Sequence, residues 1–128
     1  MAASGGLIKV ERTDFVSVPV VDLPRAEKFY GETLGLPRSK GREGMFAEYE
    51  TGNVTLFLFD PVSIGRERPP AHGGPIALRV PDVAEARATL ERAGIEFLDE
   101  TIDSGVCHMA FFRDSEGNVL MLHRRYAD

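Results

Sequence analysis

A small set of polar side chains in this sequence is suited to chemistry. Histidine takes part in acid–base catalysis and is the commonest protein ligand for zinc and iron. The possible ligands of a catalytic metal ion are His72, His108, His123 and Glu48. A further candidate, Arg79, can bind a carboxylate or phosphate group. What these side chains can do depends on which of them the fold brings together.

Each candidate also has an ordinary structural interpretation. His123 either contacts a ligand or is an exposed histidine beside two arginines at the end of a strand. Arg79 either binds an anionic ligand or pairs with a strand acid such as Glu48. His72 lies in a segment rich in proline and glycine, so we expect a solvated side chain there. Sequence alone does not choose between these alternatives.

The single cysteine lies next to a histidine in a predicted strand. Neighbouring strand residues point to opposite faces, so Cys107 and His108 are not expected to act as nucleophile and base. Of the two, His108 is expected to reach a binding site. One cysteine excludes an internal disulfide, and we expect a cytoplasmic protein.

Composition excludes several classes of partner. The chain has 128 residues, 43% of them hydrophobic and 27% charged, and a formal net charge of -5. A negative chain has no electrostatic attraction to nucleic acid or an anionic membrane. No apolar run is long enough to span a bilayer, and residues 1–6 lack the pattern of a signal peptide. We therefore expect no nucleic acid or membrane partner.

An internal repeat determines how the candidates are positioned. Residues of the first copy recur 60 positions later: Val16 as Ile76, Val18 as Leu78, Val20 as Val80, Asp22 as Asp82, and Ala26 as Ala86. In each copy a strand leads to an aspartate that can cap a helix, and the helix ends at a glycine, Gly35 or Gly94. A repeat of this size indicates two copies of one supersecondary unit.

The coarse pattern predicts an α+β fold of two tandem βαβββ modules. Strands are predicted at residues 14–21, 44–50, 54–60, 76–80, 95–98, 106–112 and 118–124. Module one covers about residues 13–60 and module two about 75–125. Residues 61–74 form the linker, all within a single domain, 1–128.

Strand alternation predicts two kinds of sheet face. The side chains of Val16, Val18 and Val20, and their repeats, are expected to pack under the helices. The opposite faces carry residues of mixed polarity, as the wall of a ligand cavity does. Four phenylalanines in predicted strands are expected in the core: Phe57, Phe59, Phe111 and Phe112.

Two motifs resemble a known superfamily. The first runs from Val18 to Leu36 and includes Asp22-Leu23, Phe29-Tyr30 and Leu34-Gly35-Leu36; the second is Ala110 to Asn118, AFFRDSEGN. Together they resemble the vicinal oxygen chelate superfamily, which contains glyoxalase I, bleomycin-resistance proteins and extradiol dioxygenases. The resemblance covers about residues 13–125 and implies that the two modules form a curled mixed sheet, or cup.

The resemblance also implies a metal site that this chain does not reproduce. Enzymes of the superfamily bind a divalent ion near the ends of the first and last strands of each module. Those positions align with Phe15, Leu56, Pro75 and Met121. None of these offers a ligand for a hard divalent ion. The metal-free binding proteins of the superfamily are therefore the better comparison.

The resulting hypothesis is a metal-independent protein, without cofactor, that holds a small molecule in the cup. The expected cup-facing residues are Phe15, Ser17, Phe46, Glu48, Leu56, Pro75, Arg79, His108, Met121 and His123. The alternatives are a metal-dependent lyase, isomerase or dioxygenase with a shifted metal site, and a module whose cup is filled by side chains. The resemblance also implies a homodimer.

Overall fold

The first half of the chain forms a four-stranded sheet with a helix on one face. The structure is a computed structural model that describes residues 6–128. The elements are β1 (Phe15–Pro19), α1 (Leu23–Lys28, continued by a π-helical turn, Phe29–Thr33), β2 (Arg38–Arg42), β3 (Phe46–Glu50) and β4 (Thr55–Phe59). The strand order is β1-β4-β3-β2, and β1 runs parallel to β4 while the other neighbours are antiparallel.

The second half repeats this arrangement after a linker that begins with a 3₁₀ turn, Pro61–Ile64. Its elements are β5 (Ile76–Arg79), α2 (Val83–Arg92), β6 (Ile102–Asp103), β7 (Cys107–Arg113) and β8 (Val119–Arg125). The strand order β5-β8-β7-β6 matches that of the first sheet. The predicted α+β class with two βαβββ modules is confirmed, as two separate four-stranded sheets. Within residues 6–128, no helix has the length and apolar content needed to cross a membrane.

Two details of the strand prediction are wrong. The segment 95–98 is not a strand, because only Phe97 forms a bridge, to Phe112. The second strand of that module is the two-residue β6. In the first module, β2 carries the sequence RSKGR and is exposed throughout, so it has no apolar signal. The strands β2 and β6 each lie at the edge of a sheet, where polar residues are common.

The ends of the helices follow the prediction. The Asp22 carboxylate accepts a hydrogen bond from the Arg25 N–H (3.2 Å), and the Asp82 carboxylate accepts one from the Glu85 N–H (2.9 Å). Each bond satisfies an N–H group that has no partner within the helix. Gly94, after α2, has a φ of 93°, a conformation that glycine adopts without strain. The caps therefore set where each helix begins and ends.

Each sheet has a helix-covered face and an open face. Cross-strand partners share a face, so the register assigns each side chain to one of them. The buried residues of the helix-covered faces are Val18, Ala47, Tyr49, Leu56, Leu58, Ala110, Phe112, Leu120 and Leu122. Residues of both sheets and both helices form a single hydrophobic core. The predicted burial of Val18 and Val20 under the helix is confirmed.

On one side of the boundary between the modules, side chains of the two modules contact each other directly. The Phe29 ring of α1 lies 6.5 Å from the Phe112 ring of β7, measured between centroids. Next to it, the buried Tyr30 hydroxyl donates a 2.6 Å hydrogen bond to Oδ2 of Asp114. We call this region, together with the turn 114–118, the closed half of the module interface.

The turn of the closed half is bonded to the chain just after β1. The Glu116 carboxylate accepts hydrogen bonds from the N–H groups of Val21 (2.9 Å) and Asp22 (3.0 Å). The Asn118 side-chain amide donates to the Pro19 carbonyl (3.3 Å). These bonds join the second module to the end of β1 and complete the closed half.

The closed half predicts a loss of stability at alkaline pH. Burial, reinforced by Asp114, raises the pKa of Tyr30 far above its usual 10.0. Above pH 10 the unfolded tyrosine loses its proton while the folded one keeps it. The free energy of unfolding should therefore fall as pH rises, by about 1.4 kcal/mol per pH unit from this residue.

Urea denaturation of wild type and Tyr30→Phe between about pH 9 and 11 tests this expectation. The slope of unfolding free energy against pH should be shallower in Tyr30→Phe. The variant Tyr126→Phe serves as the comparison: the hydrogen bond to Asp103 also raises the pKa of Tyr126, but this tyrosine is exposed, so the variant should keep more of the slope than Tyr30→Phe does. Equal slopes in wild type and Tyr30→Phe would contradict a buried, protonated Tyr30.

Candidate functional site

The open face of the first sheet carries a row of aromatic side chains. The ring of Phe57 in β4 lies 5.0 Å from Phe15, 5.3 Å from Phe46 and 5.0 Å from Phe59, measured between centroids. None of the four belongs to the buried core, and Phe15 is 49% exposed. We call these four residues the aromatic row. Exposed aromatic surface of this kind marks binding sites.

Polar groups border the aromatic row. Ser17 lies on the same face of β1, and Glu48 is the cross-strand partner of Phe57. At the edge, the Glu50 carboxylate accepts hydrogen bonds from the hydroxyls of Ser39 (2.5 Å) and Thr55 (2.7 Å). These two bonds hold the pKa of Glu50 below its usual value. The face therefore combines an apolar centre with a polar border.

The open face of the second sheet is mixed in character. Met121 is the cross-strand partner of Phe111, and His123 is the partner of Met109. Arg79 in β5 lies beside His123. The face thus offers soft apolar side chains next to one histidine and one arginine. These groups can contact an apolar ligand and donate hydrogen bonds to a carbonyl, hydroxyl or carboxylate.

The structure places most of the sequence-predicted site residues on the two open faces. Those on open faces are Phe15, Ser17, Phe46, Glu48, Arg79, Met121 and His123. Pro75 is exposed and lies at the end of the linker, directly before β5. The open face of the first sheet carries Phe15, Ser17, Phe46 and Glu48. The open face of the second sheet carries Arg79, Met121 and His123.

The face predicted for Leu56 and His108 is wrong. Leu56 pairs with Val16 and Tyr49 and is 1% exposed, so it belongs to the core. His108 shares its face with Ala110, so the adjacent Cys107 has the open-face position. In a strand, a shift of one residue moves every side chain to the other face.

The environment of His108 is a local surface cluster. Its ring stacks on Tyr126 with centroids 4.5 Å apart, and its Nε2 lies 3.4 Å from Oδ2 of Asp103. The Tyr126 hydroxyl donates to the same carboxylate (2.7 Å), which lowers the pKa of Asp103. This cluster ties the C-terminal end of the chain to β6 rather than contributing to an open face.

Three phenylalanines assigned to the core from sequence instead lie on open faces. Phe112 is fully buried as predicted, but Phe57, Phe59 and Phe111 are only partly covered. The sequence of β4, TLFLF, is apolar on both faces, so polarity does not indicate which face is covered. The face of Phe57 follows from the parallel pairing of β4 with β1, which aligns Phe57 with Ser17. That register is seen only in the structure.

A cavity lies where the linker passes the end of the aromatic row. It has a volume of about 340 Å³ and is lined by Ser17, Pro19, Phe59, Arg66, Glu67 and His72, among others. The His72 N–H donates to the Asn118 side-chain carbonyl (2.8 Å), and the His72 carbonyl accepts from the Val119 N–H (3.0 Å). These two bonds fix the backbone of His72 beside the start of β8, and the residue is half-buried.

The residues at the implied metal positions do not fit a metal. Phe15 and Met121 face the open surfaces, Leu56 is in the core and Pro75 precedes β5. None offers an imidazole or carboxylate. The open-face neighbours of Leu56 in β4 are Thr55 and Phe57, which do not replace the missing ligands.

The alternative ligand set does not converge. Glu48 and His123 lie on different sheets, and His108 is on a helix-covered side. Among residues 6–128, no group of three or more His, Cys, Asp or Glu side chains is arranged to hold a metal ion. The candidate ligands are therefore not brought together as a group of three or more within the described part of the chain.

Comparisons with known proteins agree with the geometry. The sequence model of the Glyoxalase/Bleomycin resistance protein/Dioxygenase superfamily matches residues 12–122. No curated protein sequence matches the chain.

Many solved structures share the fold. The antibiotic-binding protein TnmS3 from a Streptomyces species is 27% identical over 92% of this chain and 98% of its own, with a TM-score of 0.75. A lactoylglutathione lyase from Agrobacterium tumefaciens is 23% identical over 89% and 93%, with a TM-score of 0.74, which shows the fold alone.

Proposed function

Because the chain belongs to the glyoxalase/bleomycin resistance protein/dioxygenase superfamily, we propose that it is a metal-independent binding protein for a small, mainly apolar molecule. The ligand lies against the open faces, with the aromatic row as its main contact. The name of the antibiotic-binding relative is consistent with this function. A cytoplasmic location is part of the same proposal and rests on the lone free cysteine.

The aromatic row is the observation that carries the proposal. Four neighbouring phenylalanine rings, tilted by 37–44° to one another, form a continuous apolar surface that an aromatic or hydrophobic ligand can contact. Glu48 and Ser17 at its border supply hydrogen-bonding groups that can orient the ligand. An apolar wall with a few polar groups is the usual composition of a small-molecule site.

A second copy of the chain completes the site in this proposal. The helix-covered faces of both sheets share one core within the chain, which leaves the aromatic row without a cover of its own. Patches of exposed apolar surface are typical of subunit interfaces. A homodimer would enclose the ligand between the open faces of two chains. Both the ligand and the aromatic rows would then be removed from water.

Titration with the fluorescent aromatic probe anilinonaphthalene sulfonate tests the site. Replacing Phe57, the ring at the centre of the row, by alanine should weaken probe binding about tenfold or more, because one buried phenylalanine contributes about 1.5–3 kcal/mol. The matched control is Val21→Ala, which removes an exposed apolar side chain outside both open faces. Equal weakening in both variants would contradict a specific site.

Two further measurements on the same samples complete this test. Probe affinity should fall when the protein is diluted below the dimer dissociation constant, as judged by sedimentation. Affinity that is unchanged in the monomer would remove the second copy from the site. Protein purified without chelator or metal-affinity resin should carry no stoichiometric divalent ion. One equivalent of metal per chain would overturn metal independence.

A further inference from the structure

The geometry points to a second small-molecule site, distinct from the open faces. We propose that a cleft between the modules binds a neutral, mainly apolar small molecule. The cleft has a volume of about 450 Å³ and lies between the end of the first helix and α2. Its apolar wall consists of Leu34, Leu36, Leu78, Val80, Ala86, Leu90 and Leu122. We call this region the open half of the module interface.

The internal repeat allows the two halves of the module interface to be compared. Phe29 and Tyr30 fill the closed half, where both are buried. The 60-residue offset puts Thr89 and Leu90 at the corresponding positions of α2. Two aromatic rings are thus replaced by a short hydroxyl side chain and one leucine. The corresponding place in the other copy also has a cleft, of about 670 Å³, but charged side chains line much of it, among them Arg25, Lys28, Glu96 and Arg113. The open half differs in that its wall is mainly apolar.

The turns of the two modules show the same difference. In the closed half, Glu116 and Asn118 reach across to the residues at and after the end of β1. The corresponding turn of the first module bonds within itself: the Thr51 hydroxyl lies 2.7 Å from the Val54 carbonyl and 3.3 Å from the Asn53 side chain.

Beside this first-module turn is a second cavity of about 460 Å³, lined by Leu36, Thr51, Gly52, Asn53, Ala77, Leu78 and Arg79. It shares Leu36, Leu78 and Arg79 with the first cleft. Within residues 6–128, no hydrogen bond joins a side chain of this turn to β5. The two cavities therefore adjoin each other along the open half of the interface.

The lining indicates the chemical class of the ligand. Leucine side chains dominate the wall, and an apolar cavity of roughly 150 Å³ already suffices to bind benzene in another protein. At the rim, Arg79, Asp82 and Glu85 are all exposed, so the rim carries both signs of charge with an excess of negative charge that disfavours anions. The apolar wall offers no partner for a charged group of either sign. Thr33 and Thr89 each add one hydroxyl to the lining. A neutral aromatic or alkyl molecule with at most one polar group fits these features.

The cleft is on the other side of the second sheet from its open face. Leu78 and Leu122 belong to the helix-covered face, whereas their strand neighbours Met121 and His123 belong to the open face. Arg79 lies on the open face and also at the rim of the cleft, whereas the other side chains named for the two sites differ. A substitution at any of those other residues leaves the walls of the second site unchanged.

Methyl-detected NMR titration with indole, a neutral aromatic probe, tests the proposal. In the wild-type protein, indole should shift the methyl signals of Leu78, Leu90 and Leu122, with a dissociation constant in the submillimolar to millimolar range expected of so small a ligand. Absence of any saturable shift at these three leucines would overturn the proposal.

Two cavity-filling variants make the test specific. Ala86→Leu adds bulk from the middle of α2, and Thr89→Phe introduces the ring that the other copy has at Phe29. Either should weaken indole binding at the cleft at least tenfold. Phe57→Ala is the control, and it should leave the shifts of the cleft leucines intact. Unchanged indole affinity in a folded filling variant would overturn the proposal, and loss of cleft binding in Phe57→Ala would assign the shifts to the aromatic row. If neither filling variant folds, the wild-type shifts decide.

Discussion

Replacement of Asp114 by alanine is expected to lower the free energy of unfolding by about 3–5 kcal/mol. Asp114 is 7% exposed, and its carboxylate accepts four hydrogen bonds. The donors are the Tyr30 hydroxyl, the N–H groups of Glu116 and Asn118, and the Asn118 side-chain amide. Removing the carboxylate leaves buried donors without partners, and each such donor costs about 1–3 kcal/mol.

The large effect arises because Asp114 organises two levels of structure at once. Its Oδ1 closes the turn before β8, at 2.8 Å from the Glu116 N–H and 2.9 Å from the Asn118 N–H. Its Oδ2 accepts from Tyr30 of the other module. Loss of Asp114 therefore loosens both the turn and the closed half of the module interface.

Urea denaturation monitored by circular dichroism measures this change. Asp103→Ala is the matched control, since Asp103 also accepts a tyrosine hydroxyl hydrogen bond, but at an exposed site on β6. The control should lose much less stability, because solvent screens an exposed carboxylate. A loss of similar size in both variants would show that the buried network does not carry the stability assigned to it.

Replacement of Phe112 by alanine is the second large effect, with an expected loss of about 3–5 kcal/mol. Phe112 is fully buried on the helix-covered face of β7. Its ring lies 5.1 Å from Phe97 and 6.5 Å from Phe29, so it contacts side chains of both modules. The cavity left by alanine has rigid walls and cannot collapse fully, which adds to the lost transfer free energy.

The adjacent residue provides a control of the same chemistry. Phe111 points to the open face and is only partly buried. Phe111→Ala should cost clearly less stability, since less apolar surface is returned to water. Equal losses in the two alanine variants would contradict the assignment of faces in the second sheet. A lower m-value in Phe112→Ala would instead report a change in the compactness of the unfolded chain.

The features predictable from sequence are those specified by residues close together in the chain. The caps at Asp22 and Asp82 depend on bonds to a residue three positions later, so the helix starts could be located directly. The repeat of apolar residues and glycines indicated two modules of the same order. Their superfamily could be identified because its motifs lie in the same local segments.

The sheet faces were predictable only where apolar and polar residues alternate. Phe15 and Ser17 were assigned to the open face because the valines between and after them mark the buried side. In β4 and β7 both faces are apolar, and the predicted faces of Leu56 and His108 were wrong there. Which face is covered depends on the register with neighbouring strands, which the composition of a single strand does not specify.

The sequence by itself determined the two-module fold, the helix ends and the poor fit of the aligned positions to a metal. Only the tertiary structure decided that the aromatic row is left uncovered and that the modules share one core. The physical reason is distance along the chain. Tyr30 and Asp114 are 84 residues apart, and their hydrogen bond forms only when both sheets pack on the same helix layer. The leucine wall of the open half likewise combines residues of both modules, with Leu34 and Leu36 from the first and Leu78, Leu90 and Leu122 from the second.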